Sequence, residues 1–256
     1  MKEKPLILVT NDDGISAPGI RMLISIMNEI GDVVVVAPDS PQSAMGHAIT
    51  INSTLECNKV KIDGGPQIEY SCSGTPADCV KIAVHEILDK KPDLCVSGIN
   101  HGTNSSINVT YSGTMSAARE ASIIGIPAIG FSLLDYSWEA DFNQIKKLIK
   151  KITLKSLSNG IPKDIALNIN FPKLDEDKIK GIKICTQAKA HWIEKFDKRI
   201  NPQGREYYWL TGEFINNDPS KNTDEWALKN GYVSIVPVKY DFTEYKVLQE
   251  LESWKL

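Results

Sequence analysis

No apolar stretch in the 256 residues approaches the roughly 20 needed to cross a bilayer, so no membrane-spanning helix is expected. The opening Met1-Lys-Glu-Lys-Pro runs directly into an apolar segment without a leader pattern, and no signal peptide is expected. Basic charge is not in excess: 29 Lys and Arg against 32 Asp and Glu give a formal net charge of -3, which argues against a nucleic acid polymer as partner. No C-x-x-C pair occurs among the five cysteines at 57, 72, 79, 95 and 185, and their number is odd. They read as reduced thiols of a cytoplasmic protein. Cys57 and Cys72 could face each other across a hairpin, yet no disulfide is expected. There is no internal repeat and no low-complexity tract.

What is present is an ordinary globular composition, in a chain long enough for one large α/β domain or two small ones. Residues 6–10 are a continuous apolar run, the mark of a strand covered on both faces of a parallel sheet. Residues 18–30 carry apolar side chains at helical spacing and stop at Gly31; residues 33–37 are a second apolar run. Together they read as a β-α-β unit with a right-handed crossover. Residues 48–73, broken at Asp63-Gly-Gly-Pro66, read as an inserted antiparallel hairpin. Thr75-Pro-Ala-Asp78 starts a helix that runs to about Asp89, with a Thr cap, a proline at the first helical position and an acid in the first turn. Strands follow at 92–98, 127–133 and 165–171, with a helix over 138–158. This alternation predicts an open, mostly parallel, Rossmann-like α/β sheet with helices on both faces. Residues 1–175 form the core and 176–256 supply arms of the same unit. The arms are exposed hairpin strands at 180–193 and 205–210, a last strand at 232–238 and an amphipathic helix over 245–256. They are expected to exchange contacts with a second copy.

The first strand ends in Asn11, Asp12 and Asp13, followed by Gly14. Adjacent carboxylates at the end of a buried strand repel each other and resist desolvation. A bound cation is the simplest remedy; a solvated Asn-Asp-Gly turn is the alternative at even odds on these residues alone. Ligands in such sheets lie beyond the carboxyl ends of the strands. Asp12 and Asp13 fall there after the first strand, Ser43 beyond the second and Asn100 beyond the third. This all-oxygen set suits one divalent ion, Mg²⁺ or Mn²⁺, which can polarise a phosphoryl oxygen and lower the pKa of a bound water. Residues 99–114 are rich in hydroxyls and amides, and such long loops are often functional. They end in a helix start whose free N–H groups, with the Ser112 and Thr114 hydroxyls, would suit a phosphate. A plain capped helix is the alternative. Ser112 as a nucleophile has no His-Asp pair near it in sequence, so phosphate binding is its better role. His47 and His101 lie in loops where they could assist a leaving group, although a lone loop histidine is usually only solvated. His85 and His191 read as structural, Asp39 as orienting the Ser43 loop, and Arg119 and Glu120 as helix-surface or supporting residues.

Five motifs in order, Asn11-Asp-Asp-Gly-Ile-Ser-Ala-Pro-Gly19, Val36-Ala-Pro-Asp-Ser-Pro-Gln-Ser43, Gly74-Thr-Pro-Ala-Asp-Cys-Val80, Val96-Ser-Gly-Ile-Asn100 and Tyr111-Ser-Gly-Thr114, resemble the SurE (survival protein E) family of metal-dependent nucleotidases. The tail, with Gly231-Tyr-Val-Ser-Ile-Val-Pro237, fits as well. The resemblance implies that Asp12, Asp13, Ser43 and Asn100 bind the divalent ion. It implies hydrolysis of nucleoside 5′- and 3′-monophosphates, with activity on short polyphosphate in some members, and exchanged C-terminal arms in homodimers or homotetramers. The mechanism expected is in-line attack by a metal-activated water, with Asp12 and Asp13 as the catalytic pair and Asn11, Asn104, Ser112, Gly113 and Thr114 holding the phosphate. Residues 101–110 are expected to line the substrate mouth.

Three other readings compete with this one. A signalling receiver domain needs a phosphorylatable Asp at the end of its third strand, where this chain has Val96-Ser97-Gly98. An aspartyl-phosphate phosphatase needs a D-x-D arrangement, whereas Asp12 and Asp13 are adjacent. A nucleotide-binding module without turnover is separated from an enzyme only by assay.

Overall fold

The computed structural model describes residues 4–254. A nine-stranded sheet forms its centre. In chain order the elements that build it are β1 (Leu6–Thr10), α1 (Pro18–Asn28), β2 (Asp32–Pro38), β3 (Cys57–Val60), β4 (Ile68–Cys72), α2 (Pro76–Ile82), β5 (Leu94–His101), α3 (Asn108–Tyr111), α4 (Gly113–Ile123), β6 (Ala128–Leu133), α5 (Lys146–Asn159) and β7 (Ile165–Phe171). After these come β8 (Ile182–Ile184), β9 (Ala190–Ile200), β10 (Glu206–Asn216), α6 (Asp224–Lys229), β11 (Val233–Lys239) and α7 (Leu248–Glu252). The sheet order is β3-β4-β2-β1-β5-β6-β7-β11-β8, with only β3–β4 and β11–β7 antiparallel.

β1 has no solvated face, which is why its five residues are all apolar or buried. Ile7 and Val9 point into a layer shared with Ile20, Leu23 and Met27 of α1 and Ile149 of α5. Leu8 points the other way, into a layer with Cys79 and Val80 of α2 and Met115 and Ala118 of α4. Each fully buried Leu or Ile side chain stabilises the fold by about 1.5–3 kcal/mol. The start of α2 is fixed by a reciprocal cap, Thr75 accepting from the Asp78 N–H while the Asp78 carboxylate accepts from the Thr75 N–H. From β1 the chain moves outward to β2 and β4, then returns to place β5 on the other side of β1. The winding reverses direction between β1 and β5, and the carboxyl ends of strands at such a switch point are the position that favours ligand binding in these sheets.

Several expected boundaries shift. The third strand continues to His101, and a helical turn at Asn108–Tyr111 divides the long loop after it. The helix expected from 138 starts at Lys146, preceded by a tight turn at Phe142–Ile145. The stretch 180–193 is not one exposed arm: Ile182–Ile184 joins the sheet edge beside β11, and the arm is the hairpin β9–β10, whose strands pair only with each other. The terminal helix is the five-residue α7, with residues 255 and 256 outside the described part. No described helix is long and apolar enough to cross a membrane.

Candidate active site

The turn after β1 is closed by its own side chain. Asn11 donates from Nδ2 to the Gly14 carbonyl at 2.9 Å, and Gly14 has φ +97°, a conformation that suits glycine. The loop after β2 is tied to this turn twice, by the Ile15 N–H to the Pro38 carbonyl at 2.8 Å and the Gln42 N–H to the Asp12 carbonyl at 2.7 Å. These bonds bring the Ser43 turn beside Asp12.

Asp12 is only 3 % exposed. Its Oδ1 accepts from the Thr114 hydroxyl at 2.5 Å, and the Thr114 N–H also donates to the carboxylate. α4 starts directly against it: a Cβ on Gly113 would stand 2.6 Å from the Asp12 Cβ, so only glycine fits. Asp13 is half-buried and accepts from the His101 N–H at 3.3 Å, which sets the end of β5 beside it. Burial, reinforced by the neighbouring Asp13 charge and offset in part by Thr114, pushes Asp12 up to about 7. Burial pushes Asp13 up to about 6 against the opposing His101 N–H. The fold therefore holds two carboxyls where their ionised forms are disfavoured, and a cation between them would remove the penalty.

Asn100 donates from Nδ2 to the Gly102 carbonyl at 2.8 Å, which leaves its amide oxygen as a lone-pair donor. Asn11 Oδ1 is buried without a hydrogen-bond partner. A buried acceptor without a donor, one residue ahead of the two carboxylates in sequence, would suit a cation or its water. Among the described residues no group of three His, Cys, Asp or Glu side chains could hold a metal. An ion here would therefore rest on two carboxylates with amide and hydroxyl oxygens and keep several waters, as Mg²⁺ does.

Ser112 caps α4, its Oγ accepting from the Met115 N–H at 2.9 Å. Gly113, the first residue of α4, packs directly on Asp12. Thr114, expected to hold phosphate, instead directs both its donors to Asp12. The Asn104 side chain is turned inward, donating to Ser132 Oγ at 2.8 Å.

The family model described as Survival protein SurE matches residues 7–194. This chain belongs to the SurE family. It is 69 % identical over 253 residues to the 5′-nucleotidase SurE of Flavobacterium psychrophilum, covering 99 % of this chain and 98 % of the relative. It is 68 % identical over 256 residues to the 5′-nucleotidase SurE of Christiangramia forsetii, covering 100 % and 98 % respectively. The crystal structure of the SurE protein from Aquifex aeolicus superposes with a TM-score of 0.84 at 42 % identity, covering 98 % of this chain and 100 % of that one.

Other residues of this SurE chain take positions that sequence reasoning did not reach. Asn104 is held at both backbone groups: its N–H donates to Asn170 Oδ1 and its carbonyl accepts from Asn168 Nδ2, each at 2.8 Å. Two amides on one face of an otherwise apolar strand were the visible signal. Glu120 is buried rather than on a helix surface, bonded to His47 Nε2 at 2.9 Å and Lys81 Nζ at 2.6 Å; these partners hold its carboxyl below the usual range despite burial. Arg119 is also buried, with the Phe242 ring 5.9 Å away. His47 is thus engaged by a carboxylate. His101 donates from Nδ1 to the Ser137 carbonyl at 2.7 Å and stacks on Trp138, leaving Nε2 buried without a partner. His85 and His191 are exposed.

Proposed function

We propose that this chain is a metal-dependent phosphomonoesterase that hydrolyses nucleoside 5′-monophosphates, and 3′-monophosphates as a second class, to nucleoside and phosphate. Short polyphosphate is a further candidate substrate. The observation that carries this reading is the convergence of Asp12, Asp13, Asn100 and the α4 start at the carboxyl ends of β1 and β5. The names of the relatives at 68–69 % identity support the substrate class.

Asp12 and Asp13 would hold one divalent ion, Mg²⁺ or Mn²⁺, with the Asn100 amide oxygen and the Ser43 hydroxyl as further ligands. Such an ion supplies Lewis-acid polarisation of a phosphoryl oxygen and a more acidic water. The Ser112 hydroxyl and Gly113 N–H would donate to the other phosphoryl oxygens, assisted by the positive end of α4. Thr114 would keep Asp12 oriented and ionised. Asn11 would shape the turn and offer its free oxygen to the ion's hydration shell. Asn104 would fix the loop that lines the substrate mouth.

Residues 1–175 would carry the reaction, and 176–256 would complete the sheet and supply the arms. The β9–β10 hairpin exposes Phe196, Ile200, Trp209 and Leu210 while pairing with no other strand. A two-stranded hairpin is marginal alone, so a second copy in a dimer or tetramer is its natural support. Five free thiols are consistent with a reducing, cytoplasmic setting.

The deciding experiment is phosphate release from a panel of nucleoside 5′- and 3′-monophosphates in EDTA, Mg²⁺ or Mn²⁺. Metal-requiring release supports the reading. Nucleotide binding without release under any metal would replace it with a nucleotide-binding module.

A further inference from the structure

On the face of the sheet away from α1, three cysteines meet. Cys57 on β3 and Cys72 on β4 are register partners in the antiparallel hairpin. The adjoining pair is the hydrogen-bonded one, with the Ser73 N–H donating to the Glu56 carbonyl at 2.8 Å. The Cys72 carbonyl faces the opposite neighbour, accepting from the Asp39 N–H on the β2 side at 2.8 Å. Cys57 and Cys72 therefore occupy a position without ladder bonds. Cα atoms at such positions are about 4.5 Å apart and the side chains stand closest. That separation lies at the short end of the ~4.4–6.8 Å that a disulfide spans.

The third thiol, Cys79 of α2, is fully buried and hydrogen-bonds Cys72. This bond, with the Gly74 N–H and the Cys57 thiol, draws the Cys72 thiol down to about 7 against the effect of burial. Burial, with the adjacent Cys72, raises Cys57 to about 11. Cys57 is half-exposed, whereas Cys72 is closed off from solvent. The pair thus combines an entry thiol that a small reagent can touch with a more acidic thiol directly behind it. All five cysteines are free.

We propose that Cys57 and Cys72 form a reversible modification site, closing to a cross-strand disulfide when the chain meets a low-molecular-weight disulfide such as oxidised glutathione. Cys57 loses its proton and its sulfur attacks one sulfur of the reagent, forming a mixed disulfide and releasing one thiol. The Cys72 thiolate then attacks the Cys57 sulfur and expels the second thiol. Two cysteine thiols and one reagent disulfide become one protein disulfide and two reagent thiols. Cys79 takes no part in the new bond; it loses its partner on Cys72. Excess thiol reverses the same two exchange steps, which makes the change reversible. It would sit on the strand whose Cys72 carbonyl holds Asp39, at the head of the Ser43 loop.

The test treats the full chain with oxidised glutathione, quenches it in acid, and measures intact mass and the linked peptides. The expected product has lost two hydrogens, maps to Cys57–Cys72, and returns to the starting mass in dithiothreitol. Its unfolding midpoint should rise by a few degrees through closure of the hairpin loop. The link should vanish in Cys57→Ser, whose changed position is half-exposed and tolerant, and persist in Cys79→Ser. A bond mapping to Cys72–Cys79, or a glutathione adduct on Cys57 that never resolves, would overturn the proposal.

Discussion

The Thr114 hydroxyl donates to Asp12 Oδ1 at 2.5 Å, with both side chains closed off from solvent. The two residues are 102 positions apart, on β1's carboxyl end and the first turn of α4. A buried carboxylate that loses such a donor binds its proton more tightly and orients less well. Thr114→Val should lower metal affinity and turnover about 10–100-fold, the usual consequence of removing a partner behind a metal ligand. Thr114→Ser keeps the hydroxyl and should recover most of the loss. Calorimetric Mn²⁺ binding beside steady-state turnover checks both variants.

Asp13→Asn removes one of two adjacent buried charges. Turnover should fall on the order of a hundredfold or more, as when a preorganised electrostatic group is removed from an active site. In EDTA near neutral pH the variant should be at least as stable as the parent, because the repulsion with Asp12 is gone. Thermal unfolding in EDTA separates this outcome from a damaged fold.

The raised carboxyls also set a pH dependence. Asp12 and Asp13 titrate at about 7 and about 6 in the folded chain, against an ordinary 3.8. A carboxyl raised on folding binds its proton more tightly in the native state. The pair therefore costs nothing well below 3.8, and its cost grows as pH rises toward 7. In EDTA, the stability of the parent relative to Asp13→Asn should fall between about pH 4 and pH 7. Mn²⁺ competes with those protons, so its apparent affinity should climb through about pH 6–7 and level off above. Unfolding midpoints across this range, with and without Mn²⁺, report both trends.

Asn170 holds the loop bearing Asn104 through a 2.8 Å bond from the Asn104 N–H and a second from the Thr103 hydroxyl at 3.2 Å. Asn170→Ala leaves the Asn104 N–H unpaired in a buried place, while the Thr103 hydroxyl keeps Ser105 Oγ at 2.6 Å. It should lower kcat/KM for nucleoside monophosphates about tenfold, equivalent to about 1.4 kcal/mol and within the ~1–3 kcal/mol such a loss costs. Mn²⁺ affinity should stay unchanged, since Asn170 touches none of the proposed ligands. Parallel titrations with metal and with substrate distinguish the two.

The order of buried strands was readable because parallel strands covered on both faces appear as apolar runs, as in Leu6–Thr10 and Ala128–Leu133. The start of α2 was readable because its capping box is local in sequence. β8 was not: three residues, Ile182–Ile184, carry too little pattern to separate an edge strand from an arm. The arm's limits were blurred for a related reason, since strands with no buried face show no alternation. At the site, the Asp12-Asp13 turn stood out as adjacent carboxylates after a buried run. The partners that hold the site are remote: Glu120 meets His47 across 73 positions and Asn104 meets Asn170 across 66. Glu120 lies on a helix buried along most of its length, which no amphipathic pattern announces.

The central claim is that Asp12 and Asp13 hold the ion on which turnover depends. Equilibrium Mn²⁺ binding and phosphate release from a nucleoside 5′-monophosphate, measured on the same samples of parent and Asp13→Asn protein, test it most directly. One ion per chain and metal-dependent release are expected in the parent, with both lost together in a folded variant. A folded Asp13→Asn protein that binds Mn²⁺ and releases phosphate like the parent would contradict it.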